Sequence, residues 1–319
     1  MKPTLVCLDK QSIKDELIAS KFVRRTNKAD NEIYVINAHN SPHVMQEIGR
    51  LRELAFRSAG GGSGNDIDVD RFDFLPNPYE QIIVWNPDDE EIIGGYRFLH
   101  GRHAAFLQDG QPDMPIGHLF TFSELFIEKY LPITIELGRA FVQPKYQSTQ
   151  MGVKSLYALD NLWDGIGALL ADSGDAKYLI GKVTIFPKMA EAARYAIIYF
   201  LKLFFPDPDN LFSPIYNVHV PQHYVKEFDA LFSSTSYREN FLHLNHYVKQ
   251  CGENIPTLIR AYIELSSGMR TFGTCLDESF GHIFDTGMMI TIENIYQAKR
   301  ERYIDTYVQT LASNRLAPL

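Results

Sequence analysis

The alternation of strand and helix patterns between residues 32 and 205 constrains the fold most. Residues 32–40 predict a strand, and residues 41–60 predict a helix with Ser41 as its N-cap and Gly60 at its end. The strand patterns QIIVWN and EIIGGYRFL, joined by PDDE, predict a β-hairpin. The later segments are LPITIELGRAFV (strand), KSLYALDNLWDGIGALLAD (amphipathic helix), YLIGKVTIFP (strand) and KMAEAARYAIIYFLKLFF (helix).

The rest of the chain adds helices and two more strands. A short helix is predicted near FTFSELF, residues 206–265 are mostly helical with breaks at prolines, and MRTFGTCLD and DTGMMITIEN predict strands. Because there is no internal repeat and no long linker, the sequence predicts one α+β domain over residues 1–319. Its predicted parts are a core of about 32–205 and 266–295, a helical insertion of about 206–265 and a C-terminal helix of about 296–313.

Composition argues against several functional classes. Of the 319 residues, 45% are hydrophobic, which suffices for a sizeable core and argues against disorder. A formal net charge of −8 argues against general affinity for nucleic acid or an anionic membrane. The widely spaced Cys7, Cys251 and Cys275 predict neither a zinc motif nor a disulfide framework, and we expect no metal site. Because the sequence shows no signal-peptide core and no membrane-spanning segment, we expect a cytoplasmic protein.

The glycine-rich stretch RSAGGGSGNDIDVDRFD (57–73) fits none of the common glycine motifs. A P-loop places its glycines before a helix and ends in Gly-Lys-Ser/Thr, whereas these glycines follow a helix and lead into aspartates. Counted from Asp66, the sixth and twelfth positions of an EF-hand would be Arg71 and Asn77, which argues against calcium. GGSGN also lacks the last glycine of a nucleophile elbow. What remains is a flexible loop leading into an acidic cluster.

Four motifs follow one another in a fixed order. They are Arg52-x-x-x-Phe56, Asp68-x-Asp70-Arg71-Phe72-Asp73, GGYRF with Arg97, and ELGR with Glu136 and Arg139. In this order and spacing they resemble the acyl-homoserine-lactone synthases and the bacterial N-acyl amino acid synthases of the GCN5-related N-acetyltransferase (GNAT) superfamily. From about residue 32 to about 295, the chain resembles one branch in particular, the hemolysin-like acyltransferases that make ornithine and glycine lipids. The segments that carry this are ELGRAFVQPKYQ, LDNLWDGIGAL, YLIGKVTI and GENIPTLIRAYIELSSGMRTFGTCLDESFGHIFDTG.

The resemblance implies a GNAT fold and a thioester donor. That fold is a twisted mixed β-sheet flanked by helices, whose central strands, here 132–142 and 178–187, splay apart to admit a pantetheine arm. No cofactor is implied to stay bound. The implied donor is a fatty acyl group, usually 3-hydroxyacyl, on the 4′-phosphopantetheine of acyl carrier protein. CoA is the weaker alternative, because QPKYQSTQMGVKS keeps only Gly152 of the usual CoA loop.

Glu136 and Arg139 are the candidate catalytic residues. A carboxylate that takes the proton of the acceptor's ammonium group is useful for amide formation, and Glu136 is the first candidate. Plain alternation would place the two side chains on opposite faces of the strand. We therefore expect a β-bulge near Gly138, which would bring them to one face and free a backbone N–H for the thioester oxygen. The alternative is an exposed ion pair at the strand edge.

Substrate-binding and donor-binding residues follow from the same resemblance. The acceptor side comprises Arg52, Phe56, Asp70, Asp73 and Arg97. Such an arginine–carboxylate network either holds the acceptor or braces the fold, and the sequence leaves both open. The donor side comprises Phe141, Val142, Lys145 and Lys154. Lys145, Lys154, Lys182 and Lys188 are further expected to dock the acidic carrier protein, against the default of solvated lysines.

The resemblance thus implies an N-acyltransferase that joins a (3-hydroxy)fatty acyl chain to the α-amino group of a small amino acid, with glycine as the first choice. An ornithine N-acyltransferase and a CoA-dependent N-acetyltransferase are the alternatives. The expected partners are acyl carrier protein and the amino acid, without nucleic acid and with peripheral membrane proximity. AGGGSGND is expected to be a mobile flap over the acceptor pocket. The aromatic helix 195–205 either lines an acyl tunnel or is ordinary core.

Overall fold

The computed structural model describes residues 9–147 and 153–316. In chain order the strands are β1 Phe22–Arg25, β2 Glu32–Ile36, β3 Glu80–Asn86, β4 Glu91–His100, β5 Phe120–Phe122, β6 Thr134–Val142, β7 Tyr178–Ile185, β8 Phe212–Pro214, β9 Met269–Asp277 and β10 Ile283–Thr291. The α-helices are α1 Lys10–Glu16, α2 Pro42–Ala59, α3 Pro144–Gln147, α4 Val153–Asp172, α5 Glu191–Phe204, α6 Gln222–Leu231, α7 Tyr237–Gln250, α8 Thr257–Ile263, α9 Gln297–Arg300 and α10 Thr306–Leu316.

The predicted α+β class is confirmed, with one local correction. The helix predicted near FTFSELF begins instead as strand β5, because Phe120 and Phe122 are buried at alternate positions against β8. A π-helical turn, Phe126–Tyr130, follows it. The segment 206–265 contains the helices α6 to α8 but also β8. The splay of the two central strands and the single-domain organisation stay predictions.

The chain divides into two compact units. The first unit comprises Met1–His103, Ile135–Ala176 and Tyr296–Leu319. Its strands are antiparallel neighbours in the order β1-β2-β3-β4-β6. Helix α2 covers one sheet face and forms a buried apolar cluster with Ile83, Trp85 and Phe141. Helix α4 packs against the sheet so closely that a Cβ at Gly165 would lie 2.6 Å from Ile82, which explains a glycine in mid-helix.

The second unit comprises Ala104–Thr134 and Lys177–Ile295. It contains the antiparallel strands β7-β10-β9 and the pair β5–β8. Phe212 stacks on Phe272 with their ring centroids 4.1 Å apart. On α5, Phe200 is fully buried and its ring centroid lies 5.4 Å from that of Phe232, so this residue is packed as core. An acyl tunnel along the helix stays a prediction. Among the described residues, no helix combines the length and the apolar composition needed to cross a membrane.

Candidate active site

A β-bulge interrupts strand β6 in the ELGR motif, as predicted. Between the pairs Arg97–Gly138 and Gly95–Phe141, β4 advances by two residues while β6 advances by three. The extra residue falls at Arg139, whose φ of 48° lies in the left-handed region that non-glycine residues rarely adopt. A Cβ at the neighbouring Gly94 would lie 2.3 Å from the carbonyl oxygen of Phe141, which explains a glycine in GGYRF.

Glu136 lies on the α2-covered face of the sheet. It pairs with Leu99, two residues from Arg97, so its side chain points to the same side as that of Arg97. Glu136 is 3% exposed, and its Oε2 accepts a hydrogen bond from the hydroxyl of Tyr79. The residue is therefore a buried, partnered carboxylate rather than half of an exposed ion pair.

The acidic cluster is shaped by a capping box. The Asp70 Oδ1 accepts a hydrogen bond of 2.9 Å from the backbone N–H of Phe72, and the Asp73 Oδ2 accepts one of 3.1 Å from the N–H of Asp70. These bonds close a 3₁₀ turn, Arg71–Asp73, and fix the two carboxylates relative to each other. The hydrogen bonds that hold this turn therefore lie within the motif itself and do not involve the arginines.

Three arginines complete what we call the arginine–aspartate network, which consists of Arg52, Asp68, Asp70, Asp73, Arg97 and Arg139. Arg97 Nη1 lies 2.7 Å from Asp70 Oδ1 and 3.3 Å from Asp73 Oδ1. Arg139 lies 3.1 Å from Asp68 Oδ2 through Nε and 3.5 Å from Asp70 Oδ2 through Nη2. Asp70 therefore joins the arginine of β4 to that of β6.

Arg52, on the inner edge of α2, has the anionic partner that its position requires. Its Nη1 lies 3.4 Å from Asp73 Oδ2, and its Nη2 donates to Gln81 Oε1. The Gln81 Nε2 in turn donates to Asp73 Oδ1 at 3.1 Å. All three side chains are almost fully buried, so this end of the network faces the core.

The network reaches solvent through two of its members. The side chain of Asp70 is 28% exposed and that of Arg139 is 19% exposed, while Arg52, Asp73 and Arg97 are at most 2% exposed. A small solute can therefore reach the side chains of Asp70 and Arg139. The other members lie behind them.

Burial and neighbouring charges shift the pKa values of Asp70 and Asp68 in opposite directions. Burial would raise the pKa of Asp70, but Arg97 and Arg139 outweigh it and lower that pKa. Burial raises the pKa of Asp68 against the opposing effect of Arg139. Burial would lower the pKa of Arg97, but Asp73 and Asp70 raise it. Asp70 therefore keeps its negative charge to lower pH than Asp68.

The glycine run contacts helix α2 through Glu53, and its movement as a flap stays a prediction. The buried carboxylate of Glu53 accepts hydrogen bonds from the backbone N–H groups of Ser63 (3.0 Å) and Gly64 (2.9 Å). It also accepts from the Ser63 hydroxyl at 2.8 Å and from Arg57 Nε at 2.6 Å. Burial would raise the pKa of Glu53, but its bonds from Ser63 and Arg57 lower it. The loop is wrapped around an ionised side chain of α2.

The predicted donor residues differ in what they offer. Phe141 is buried in the apolar cluster beneath α2, which leaves its backbone for any donor contact, and Val142 is half-buried at the end of β6. Phe56 packs against the same cluster. The Lys145 ammonium lies 2.7 Å from Glu91 Oε2 at the surface. The side chain of Lys154 lies outside the described residues.

The docking lysines of the second unit are not equivalent. The ammonium group of Lys182 bonds to Asp285 and lies 3.4 Å from Asp277, so its charge is compensated within the sheet. Less of its charge is therefore available to an acidic partner, and a docking role for Lys182 stays a prediction. Lys188 is exposed just after β7.

Sequence reasoning missed Tyr79 and Gln81. Both contact the predicted residues from β3 or the residue before it, and both are 1% exposed. A signal existed for Gln81, since the predicted hairpin brings it opposite Arg97 once the register is counted. The contact of Tyr79 with Glu136 spans 57 residues and carries no local sequence signal.

The sequence is similar to those of known acyltransferases. A family model described as an acetyltransferase (GNAT) domain matches residues 51–156. A glycine N(alpha)-acyltransferase of Phocaeicola vulgatus is 46% identical over 309 residues, which are 97% of this chain and 94% of that protein. A glycine N(alpha)-acyltransferase of Bacteroides thetaiotaomicron is 44% identical over 310 residues, 97% of this chain and 92% of that protein.

Similar solved structures are more distant. A CoA-dependent acyl-homoserine lactone synthase with SAM and isopentyl-CoA is 11% identical, with 87% of this chain and 90% of that chain covered and a TM-score of 0.39. An aminoglycoside 6′-N-acetyltransferase complexed with coenzyme A is 14% identical, with 82% and 96% covered and a TM-score of 0.34.

Proposed function

The chain belongs to the same family as these glycine N(alpha)-acyltransferases, a family of GNAT N-acyl amino acid synthases. From this premise we propose that it transfers a (3-hydroxy)fatty acyl group from acyl carrier protein to the α-amino group of glycine. The similarity to two glycine acyltransferases over 97% of the chain carries the proposal. The geometry of the first unit supports it by offering a buried carboxylate beside a charged, partly exposed network.

The acceptor meets the exposed end of the network. Glycine carries an ammonium and a carboxylate group on the same carbon atom, and Asp70 and Arg139 offer one charge of each sign at the surface. The surrounding groups have one more carboxyl than guanidinium, which favours a cationic ammonium group. The carboxyl groups are those of Asp68, Asp70, Asp73 and Glu136, and the guanidinium groups are those of Arg52, Arg97 and Arg139.

Glu136 is the proposed base. It accepts one proton from the glycine ammonium, and the neutral nitrogen then attacks the thioester carbonyl carbon. The C–N bond forms, the C–S bond breaks, and the leaving thiolate takes up the second proton that the attacking nitrogen must lose to become the amide. A backbone N–H freed by the bulge at Arg139 is the proposed donor to the thioester oxygen as negative charge develops there.

Purified protein with 3-hydroxyacyl carrier protein and each of several amino acids tests the proposal. We expect mass spectrometry to detect acylglycine, with ornithine giving less product per unit time. The matched variant is E136Q, which keeps side-chain size and removes the base, and we expect its rate to fall at least about 100-fold. Acylation of ornithine in preference to glycine would refute the acceptor assignment, and equal turnover with acyl-CoA would refute the donor assignment.

A further inference from the structure

We propose that Tyr79 is the positioning residue of the site: its hydroxyl fixes the direction and the ionised state of the Glu136 carboxylate. The inference rests on the proposed function, in which Glu136 is the base. It adds a residue that acts on the reaction through Glu136 rather than on the substrate.

The contact is direct and buried. Tyr79 is 1% exposed and its hydroxyl donates to Oε2 of Glu136, which is itself 3% exposed. Because the phenol holds Oε2, the ring of Tyr79 restricts the direction in which Oε1 points. A hydrogen bond to an ionised acceptor in a buried site is stronger than one between neutral groups.

The ring of Tyr79 is held on several sides, so it can impose a direction. Its backbone N–H donates to the carbonyl oxygen of Phe72 at 3.0 Å. The Phe72 ring meets the Tyr79 ring edge-on with centroids 5.7 Å apart. The guanidinium carbon of Arg97 lies 5.2 Å from the Tyr79 ring centroid. A swing of the phenol would break contacts with both the capping-box turn and β4.

The phenol also keeps its proton. Burial raises the pKa of Tyr79 well above its ordinary value, and the negative charge of Glu136 raises it further. Tyr79 therefore keeps its proton and remains a donor at neutral pH. The other charged groups that act on Tyr79 are Arg97 of β4, which opposes this shift, and Asp70 of the loop, which adds to it.

The arrangement also connects the base to the acceptor-binding groups. Arg97 lies over the ring of Tyr79 and binds Asp70, so the base, its holder and the exposed aspartate form one connected set. A positioning residue at this point explains why an aromatic side chain that never meets solvent lies within a polar cluster.

The substitution Y79F tests the inference, because it removes the hydroxyl and keeps the ring. We expect kcat to fall about 10- to 100-fold with KM for glycine nearly unchanged. We also expect the acidic limb of the kcat profile to move to higher pH, because the ionised carboxylate loses a donor. The matched control is Y96F, a buried tyrosine of β4 on the opposite sheet face, which should keep the wild-type profile. A Y79F enzyme with wild-type kcat and pH profile overturns the proposal.

A thermodynamic cycle separates this inference from the proposed function. Melting temperatures of wild type, Y79F, E136Q and the double variant measure the contact without any assay of activity. We expect Y79F to lower the melting temperature more in the wild-type background than in the E136Q background. Additive shifts overturn the proposal whatever the activity. If the wild type acylates no amino acid but the cycle is non-additive, the proposed function fails while the Tyr79–Glu136 contact stands.

Discussion

Arg139 occupies a backbone conformation that costs free energy, and the ion pairs of its side chain in the arginine–aspartate network offset this cost. Its φ of 48° is strained for any residue with a Cβ, and its guanidinium group pairs with Asp68 and Asp70. A glycine at this position would relieve the strain but remove the charge. The bulge therefore presents a charged side chain where backbone preference alone would select glycine.

The comparison of R139G with R139A isolates the backbone term. Both variants lose the guanidinium group, so we expect R139G to be more stable than R139A by about 1 kcal/mol, measured by denaturant unfolding. At the next residue, Ala140, φ is not positive, so A140G should instead destabilise the protein. Equal stability of the two Arg139 variants would contradict a strained bulge.

Substitutions of Asp70 and Asp73 can separate a role in the reaction from a role in the stability of the fold. Asp73 is fully buried between Arg52 and Arg97, so D73N should cost about 3–5 kcal/mol of unfolding free energy. Asp70 is 28% exposed, so D70N should cost less stability. It should nevertheless reduce the acylation rate at least about tenfold, because the proposed partner of the acceptor's ammonium group loses its charge.

Thermal melts and initial rates of both variants check this pair. A D70N protein with wild-type activity would remove Asp70 from the site. One that is as unstable as D73N would show that the whole cluster braces the fold.

At the scale of elements, the sequence predicted most helices and strands because their patterns are local. Helix α2 runs from Pro42 to Ala59 with Gly60 as its left-handed C-cap, as expected, although the Ser41 side chain makes no capping bond. The bulge was predictable because the two charged residues of ELGR otherwise fall on opposite faces. The anchoring of the glycine run was not, since ten residues separate Glu53 from Ser63 and glycines alone suggest freedom.

The candidate site was predictable in its residue types but not in its connections. The motif order identified Arg52, Asp70 and Arg97, which the fold brings into one network. Tyr79 and Gln81 joined it only through strand pairing, which depends on register over long separations. Lys182 looked like a surface charge because its partner Asp285 lies 103 residues away.

Helix α4 is joined to the turn after β1 by a carboxyl group that should make stability depend on pH. Asp164 accepts hydrogen bonds from the backbone N–H and the Nδ2 of Asn27, at 2.8 and 2.5 Å. Burial raises the pKa of Asp164 to about 6. Because the folded-state pKa lies above the unfolded value, the native state binds the proton more tightly, and stability falls as pH rises from about 4 to about 6.

The substitution D164N should abolish this dependence. We expect the stability of wild type relative to D164N to decrease by up to about 3 kcal/mol between pH 4 and pH 7. Denaturant unfolding at several pH values measures the difference, and titrations elsewhere cancel because both proteins share them. A difference that stays constant or grows with pH would contradict the raised pKa.

The net charge of the whole molecule affects how an acidic carrier protein could bind. A chain with a formal charge of −8 repels an acidic protein on average, so binding needs a local basic surface and must weaken as salt screens it. With Lys182 compensated inside the sheet, Lys188 is an exposed cation of the second unit that fits this role. Such rim charges act mainly on association rate.

We therefore expect K188E to raise KM for acyl carrier protein several-fold at low salt while leaving KM for acyl-CoA and for glycine unchanged. The reversal adds a negative charge facing an acidic partner, and the effect should shrink as ionic strength rises. The matched control is K249E, which makes the same charge change at an exposed residue of α7 in the same unit. It should leave KM for the carrier protein near the wild-type value. Steady-state kinetics at two salt concentrations measure all three constants. Equal effects of K188E and K249E would attribute the change to net charge alone, and an effect of K188E that persists at high salt would show that Lys188 does not act through screened attraction.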